Sequence, residues 1–252
     1  MNPAAYLEMA EAESSHWWFC GRRVVLAAVM QNLHLPRDAK ILEVGCGTGG
    51  NLDTLAEFGG VSAFEMDDNA RAIAASKTDN RYELKAGHCP DAIPFQGRLF
   101  DLICMFDVLE HIEQDTETLA ALKRLLSVNG RILITVPAYQ WLFGSHDRFL
   151  HHKRRYAAGE LRQKIAAAGL VSEKLTYFNT LLFPLAAAVR LKDKLLGSAS
   201  PSGTGVPPSP INALFKAMFG SERFLLQYFN LPFGVSLLCV LKAAEGTPRQ
   251  PE

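Results

Sequence analysis

The chain has 252 residues, with 26 Lys and Arg against 26 Asp and Glu, so its formal charge is zero. That average hides two unlike halves: residues 1–130 carry 11 basic and 19 acidic side chains, a net of −8, whereas residues 131–252 carry 15 and 7, a net of +8. The balance excludes a uniformly basic nucleic-acid binder and an acidic solvating chain, and 48% hydrophobic with 21% charged residues is an ordinary globular composition.

Residues 1–37 read as an N-terminal helical cap, polar at first, then with Val25, Leu26, Val29 and Leu33 at helical spacing until Pro36. An apolar strand over 40–44 runs into a glycine-rich turn at 45–50 and a helix to about 58. A second strand at 61–64 precedes a helix over 69–76; strands follow at 82–86 and 99–106. A helix over 115–127 is expected to end on Asn129-Gly130 as a C-cap, with a fifth strand at 131–136 stopped by Pro137. A helix at 157–168 and strands at 171–178 and 235–242 complete the pattern.

This alternation predicts an α/β domain, 38–178 plus 234–245, whose sheet is mostly parallel and covered on both faces. The excursion 179–233 reads as a helical lid inserted before the last strand, around a flexible loop at 197–210 rich in Gly, Ser and Pro. The five cysteines form no C-x-x-C pair and read as reduced thiols. No secretory signal or membrane-spanning run is expected, so the location is cytoplasmic, with peripheral contact at the inner membrane face through the lid left open.

Chemistry concentrates first in Ile41-Leu-Glu-Val-Gly-Cys-Gly-Thr-Gly-Gly50, a strand that turns into a helix through glycines and so lets backbone approach a nucleotide-like ligand. Gly45, Gly47 and Gly50 also satisfy G-x-G-x-x-G, with Glu65 some 20 residues on, which keeps an NAD(P)-binding oxidoreductase as an alternative. Against that, Glu43 would repel a pyrophosphate but accept from an ammonium group.

Taken with Phe64-Glu-Met-Asp67, Ile93-Pro-Phe95, the run Phe100–Ile112 and the run Arg124–Pro137, the segment LEVGCGTG at 42–49 resembles the ordered motifs of class I S-adenosylmethionine-dependent methyltransferases over about residues 38–137. The resemblance extends to the type 11 and ubiquinone-pathway-like group. It implies a Rossmann-like, doubly wound seven-stranded sheet and S-adenosyl-L-methionine as cofactor. It also implies that Gly45, Cys46, Gly47 and Gly49 line the methionine part with Glu43 beneath, that Glu65 takes the ribose hydroxyls, and that Met66 packs on adenine. His88 and Cys89 stand where the family usually shows an acid, with Asp91 as a substitute; Phe106 and Asp107 end the fourth strand.

Methyl transfer to a hydroxyl by in-line displacement needs positioning and a base. His111 is the first choice, with Asp107, Glu110, His146 and His152 also in reach of the role. Asp107, Glu110 and His111 with His146 could instead hold a divalent cation, an arrangement that small-RNA 2′-O-methyltransferases and ubiquinone-pathway O-methyltransferases resemble. The reading adopted is the metal-free one.

Trp141, His146, Asp147, His152, Arg154, Arg155 and Tyr156 form a dense cluster after the fifth strand, suited to binding an anionic acceptor. His16-Trp-Trp-Phe19 with this cluster resembles a bacterial subgroup linked to cell-surface polysaccharide pathways. The expected activity is thus methyl transfer to a small-molecule or lipid- or sugar-linked acceptor, most simply at oxygen, by a monomer or homodimer with no nucleic-acid partner. A non-catalytic cofactor-binding scaffold is the alternative from another class.

Overall fold

The computed structural model describes residues 3–196 and 205–244. Two helices come first, α1 (Pro3–Ala12) and α2 (Trp17–Gln31), separated by a turn in which His16 caps α2 by accepting from the Trp18 N–H at 3.2 Å. The core then alternates β1 (Lys40–Val44), α3 (Leu52–Ala56), β2 (Gly60–Glu65), α4 (Asp68–Lys77), β3 (Glu83–Ala86), β4 (Phe100–Phe106), α5 (Asp115–Lys123) and β5 (Leu126–Pro137). After the short α6 (Ser145–Phe149) come α7 (Ala158–Ala167), β6 (Leu170–Phe178), α8 (Phe183–Leu196), α9 (Ser209–Leu226) and β7 (Ser236–Ala243).

The seven strands lie in the order β3-β2-β1-β4-β5-β7-β6, parallel except for β7, which runs antiparallel to both β5 and β6. This is the mostly parallel, doubly wound sheet expected from the alternation, with helices inserted before the last strand. Strand period 2 sorts the core. Leu42, Ile103, Met105 and Ile134 face one layer with Leu119, Leu161 and Ile165, from α5 and α7. Ile41, Leu102, Cys104 and Leu133 face the other with Leu26 of α2 and Phe219 of α9.

The excursion before β7 is therefore tied to the N-terminal helices. A Cβ on Gly21 would come within 2.6 Å of the Phe219 ring, so only glycine permits this α2–α9 approach, and Trp18 stacks on Phe219 at 5.2 Å. Asn212 of α9 accepts from the Trp17 N–H and donates to the Ser15 carbonyl, both at 2.8 Å. Of the loop expected at 197–210, residues 197–204 lie outside the described residues, as do residues 1, 2 and 245 of the flanking segments; Ser209 already begins α9. Among the described residues no helix is long and apolar enough to cross a membrane.

One local expectation is corrected. α5 stops at Lys123, and Asn129-Gly130 lies inside β5, where its ladder with β4 shifts register between Phe100 and Leu102. A Cβ on Gly130 would sit 2.7 Å from the Phe100 carbonyl oxygen. The glycine serves a close backbone approach between strands, not a helix end.

Candidate functional site

Open α/β sheets bind ligands beyond the carboxyl ends of their strands, where the order of connection reverses. Here β1 and β4 are neighbours whose chain continuations diverge, and a cavity of about 850 Å³ opens above them. Gly45 and Gly47 lead out of β1 with φ of 66° and 53°, the left-handed region where glycine is at home. A Cβ on Gly45 would strike Val108 at 2.9 Å, whereas nothing lies within 4 Å of the corresponding point at Gly47, which faces open space.

Carboxylates organise this end. Glu65 accepts from the N–H groups of Gly47 and Asp67, both at 3.0 Å, which fixes the glycine turn against the end of β2. Glu43 is 1% exposed beneath the turn and accepts from the Asn51 side chain at 2.8 Å, while its Oε2 has no protein partner. Burial pushes its pKa up to about 8, opposed by the Asn51 hydrogen bond and the Arg22 charge. Glu43 is not itself in the cavity lining, which its partner Asn51 reaches; its orphaned oxygen beneath the turn is suited to a cationic group. Cys46 and Phe106 line the same end; Met66 stands exposed at the rim, and His88 and Cys89 close the far side. Gly49 packs on Ala74 and Leu52 away from the cavity, and Asp91 lies outside its lining.

Asp107 leaves β4 at φ 56° and forms an ion pair with Arg22 of α2. Beyond it, Glu110, His111 and His152 each place a ligand atom within 4.8 Å of the others. Glu110 is fully buried with neither carboxylate oxygen hydrogen-bonded and with His152 Nε2 3.8 Å from its Oε1, and burial together with the Asp107 charge raises its pKa well above the usual range. His111 and His152 meet edge to face at 4.7 Å. Burial and the His152 neighbour lower the His111 pKa to about 4, while a hydrogen bond to the His151 backbone opposes them.

His152 is held from behind: its Nδ1 lies 3.0 Å from Asp147, which also accepts from Arg155 Nε at 2.7 Å and the Gly144 N–H at 2.9 Å. Burial would raise the Asp147 pKa, but these partners more than offset it, and its carboxyl is held well below the ordinary range. His146 also lines the cavity, its pKa lowered to about 4 by burial and by Arg190.

Four members of the post-strand cluster do not line the cavity, Asp147 being fully buried behind His152. Trp141 borders a separate depression of about 240 Å³. Arg154 pairs with Asp115 at 3.0 Å and Glu113 at 3.2 Å. Tyr156 is fully buried, its hydroxyl donating to Asp115 at 3.0 Å and approaching the Leu109 carbonyl at 3.3 Å, so it ties the cluster to α5.

Conversely, Tyr6 and Glu13, carried by or just after α1, line the cavity. Glu13 accepts from Thr48 at 2.8 Å and Lys77 at 2.7 Å, closing over the glycine turn. Neither residue carries a sequence signal, because neither sits in a spaced motif. Asn51 does, since it directly follows the glycines.

A protein-family model described as a methyltransferase domain matches residues 20–179. The dTDP-3-amino-3,6-dideoxy-alpha-D-glucopyranose N,N-dimethyltransferase of Streptomyces fradiae is 36% identical over 102 residues, covering 39% of this chain and 38% of the relative. A Mycolicibacterium smegmatis protein named as a probable S-adenosylmethionine-dependent methyltransferase is 24% identical over 168 residues, 65% of this chain and 63% of the relative. The chain thus spans less than two thirds of the length of these curated relatives. A solved complex of the Haloferax volcanii Trm112 methyltransferase activator with a methyltransferase includes a chain of TM-score 0.63 at 18% identity, covering 98% of this chain and 96% of that one. At that identity the likeness is one of fold.

Proposed function

Because this chain belongs to the class I S-adenosylmethionine-dependent methyltransferases of the type 11-like group, we propose that it methylates an oxygen of a small or lipid- or sugar-linked acceptor, with His111 as the base. The cofactor is S-adenosylmethionine, which supplies an electrophilic methyl on a sulfonium. In this reading Glu65 accepts from the ribose hydroxyls, Glu43 receives the ammonium group, and the turn at Gly45–Gly47 lines the methionine part. The acceptor lies on the histidine side, where α8 supplies Leu185, Ala186 and Val189.

The observation that carries the assignment is the position of the His111 ring, which lines the cavity with its centroid 4.7 Å from that of His152. The lowered pKa of His111 keeps it neutral at neutral pH, so the base-competent form is lost only as pH falls through about 4. An acceptor screen with isotopically labelled cofactor tests this. Label is expected on a hydroxyl oxygen, with kcat falling by about 10²–10⁴ in His111→Ala and cofactor affinity unchanged. Full turnover in that variant sinks the base assignment. Label on nitrogen alone, the atom type named for the Streptomyces fradiae relative, sinks the oxygen reading.

The clustering of Glu110, His111 and His152 favours a second reading, in which the three hold a divalent cation with Asp147 orienting His152 from behind. Titrating metal-depleted protein with Co²⁺ separates the two. Visible absorption bands that disappear in Glu110→Gln establish the metal, and unchanged activity after exhaustive chelation removes it from the reaction.

A further inference from the structure

Four Arg and Lys side chains line the main cavity: Arg22, Lys153, Arg155 and Arg190. Arg22 pairs with Asp107, Lys153 with Glu113 at 2.8 Å, and Arg155 with Asp147 at 2.7 Å. Arg190, on α8, has no hydrogen bond or ion pair among the described residues. Asp147, the acid whose charge reaches it from the post-strand cluster, is already shared between Arg155 and His152; Asp193 acts on it only at a distance. Asp193 of the same helix also lines the cavity, but Arg190 is half-buried with no carboxylate in contact, and the five donors of its guanidinium form a fork that fits an oxyanion in two places. The same helix lines the cavity with Leu185, Ala186 and Val189, so an apolar wall leads directly to the cation. His146 lies close enough to feel the Arg190 charge and adds a polar ring beside it.

We infer that Arg190 is the recognition residue for an oxyanion, phosphoryl or carboxylate, borne by an acceptor whose apolar body lies along Leu185, Ala186 and Val189. The inference rests on the methyltransferase reading of the cavity. It moves the anion-binding role from Arg154 and Arg155, whose charges are taken within the protein, to a residue of the inserted helices. It also specifies an amphiphile and not a free anion.

The test uses the full chain loaded with S-adenosylhomocysteine and titrates octyl phosphate, octanoate, octanol and inorganic phosphate by calorimetry. Octyl phosphate or octanoate is expected to bind at least tenfold more tightly than either octanol or inorganic phosphate. Arg190→Gln should lose at least tenfold toward the octyl anion with octanol unchanged, and Arg190→Lys should recover only part, because an ammonium keeps the charge without the fork. Comparison of the two octyl anions identifies which oxyanion is preferred. Equal binding of the octyl anions by wild type and Arg190→Gln overturns the inference, as does inorganic phosphate binding as tightly as octyl phosphate. S-adenosylmethionine affinity, measured on cofactor-free aliquots of the same preparations, separates the two failures. If it is absent from wild type the methyltransferase reading falls, and if it is present without octyl-anion binding only the Arg190 assignment falls.

Discussion

Asp147→Asn is expected to cost about 3 kcal/mol of unfolding free energy, the low end for breaking a buried ion pair by removing one partner. Asp147 is fully buried and Arg155 is 5% exposed, so the asparagine keeps the volume but strands a guanidinium. Three backbone stretches depend on this carboxylate. It fixes Gly144 through its N–H and His152 through Nδ1, and Arg155 in turn donates to the Ala138 carbonyl at 3.2 Å and, through its backbone N–H, to Gln140 Oε1 at 2.9 Å. The loss should appear as a thermal midpoint lowered by about 6–12 °C for a chain of this length. The pH dependence has a definite sign. Because the folded-state pKa of Asp147 is depressed, its contribution is complete above the unfolded value of about 3.9 and is lost as pH falls below it. The gap between wild type and variant should be flat from pH 8 to about 5 and close in acid. A gap below 1 kcal/mol at pH 7 would mean that the surrounding loop does not depend on this pair.

The second large effect is on the cofactor. Glu65→Ala should weaken S-adenosylmethionine binding about 100-fold, equivalent to roughly 3 kcal/mol for two charge-assisted hydrogen bonds to the ribose. The same substitution releases the Gly47 and Asp67 N–H groups, so the glycine turn loses its anchor to β2. Glu65→Gln separates these roles, since an amide retains one accepting oxygen but not the charge, and it should fall between wild type and alanine. Equilibrium dialysis with labelled cofactor reads both variants. An affinity within threefold of wild type for Glu65→Ala would remove Glu65 from the binding site.

The legible residues are those whose function is written in local spacing. The glycines after β1 are visible in the chain because a strand-to-helix turn needs positive φ at fixed intervals, and Glu43 and Glu65 sit at the ends of strands that hydrophobic patterning already locates. Asn129-Gly130 shows the limit of that logic. The dipeptide suits a helix end as well as a strand irregularity, and the approach of Phe100 from β4, distant in sequence, selects the second. Arg154, Arg155 and Tyr156 show it again. Consecutive in the chain, they go to Asp115 and Glu113, to Asp147, and to a buried place behind α5, so their shared sequence cluster does not become a shared site. Tyr6 and Glu13 reach the cavity from an N-terminal segment with no motif at all.

By itself the sequence determined the α/β class and the mostly parallel sheet through its periodicity, and through the resemblance carried by its short motifs it implied the seven strands, the methyltransferase family and its cofactor. The tertiary structure alone decided which charges remain available. The −8 and +8 halves meet through pairs such as Arg154–Asp115 and Lys164–Asp115, while Arg22–Asp107 is a pair within the first half. Pairing strength depends on distance and burial, quantities that sequence separation does not encode. Once those pairs form, a Glu43 oxygen stays unpartnered beneath the glycine turn and Arg190 stays without a contact partner in the cavity wall.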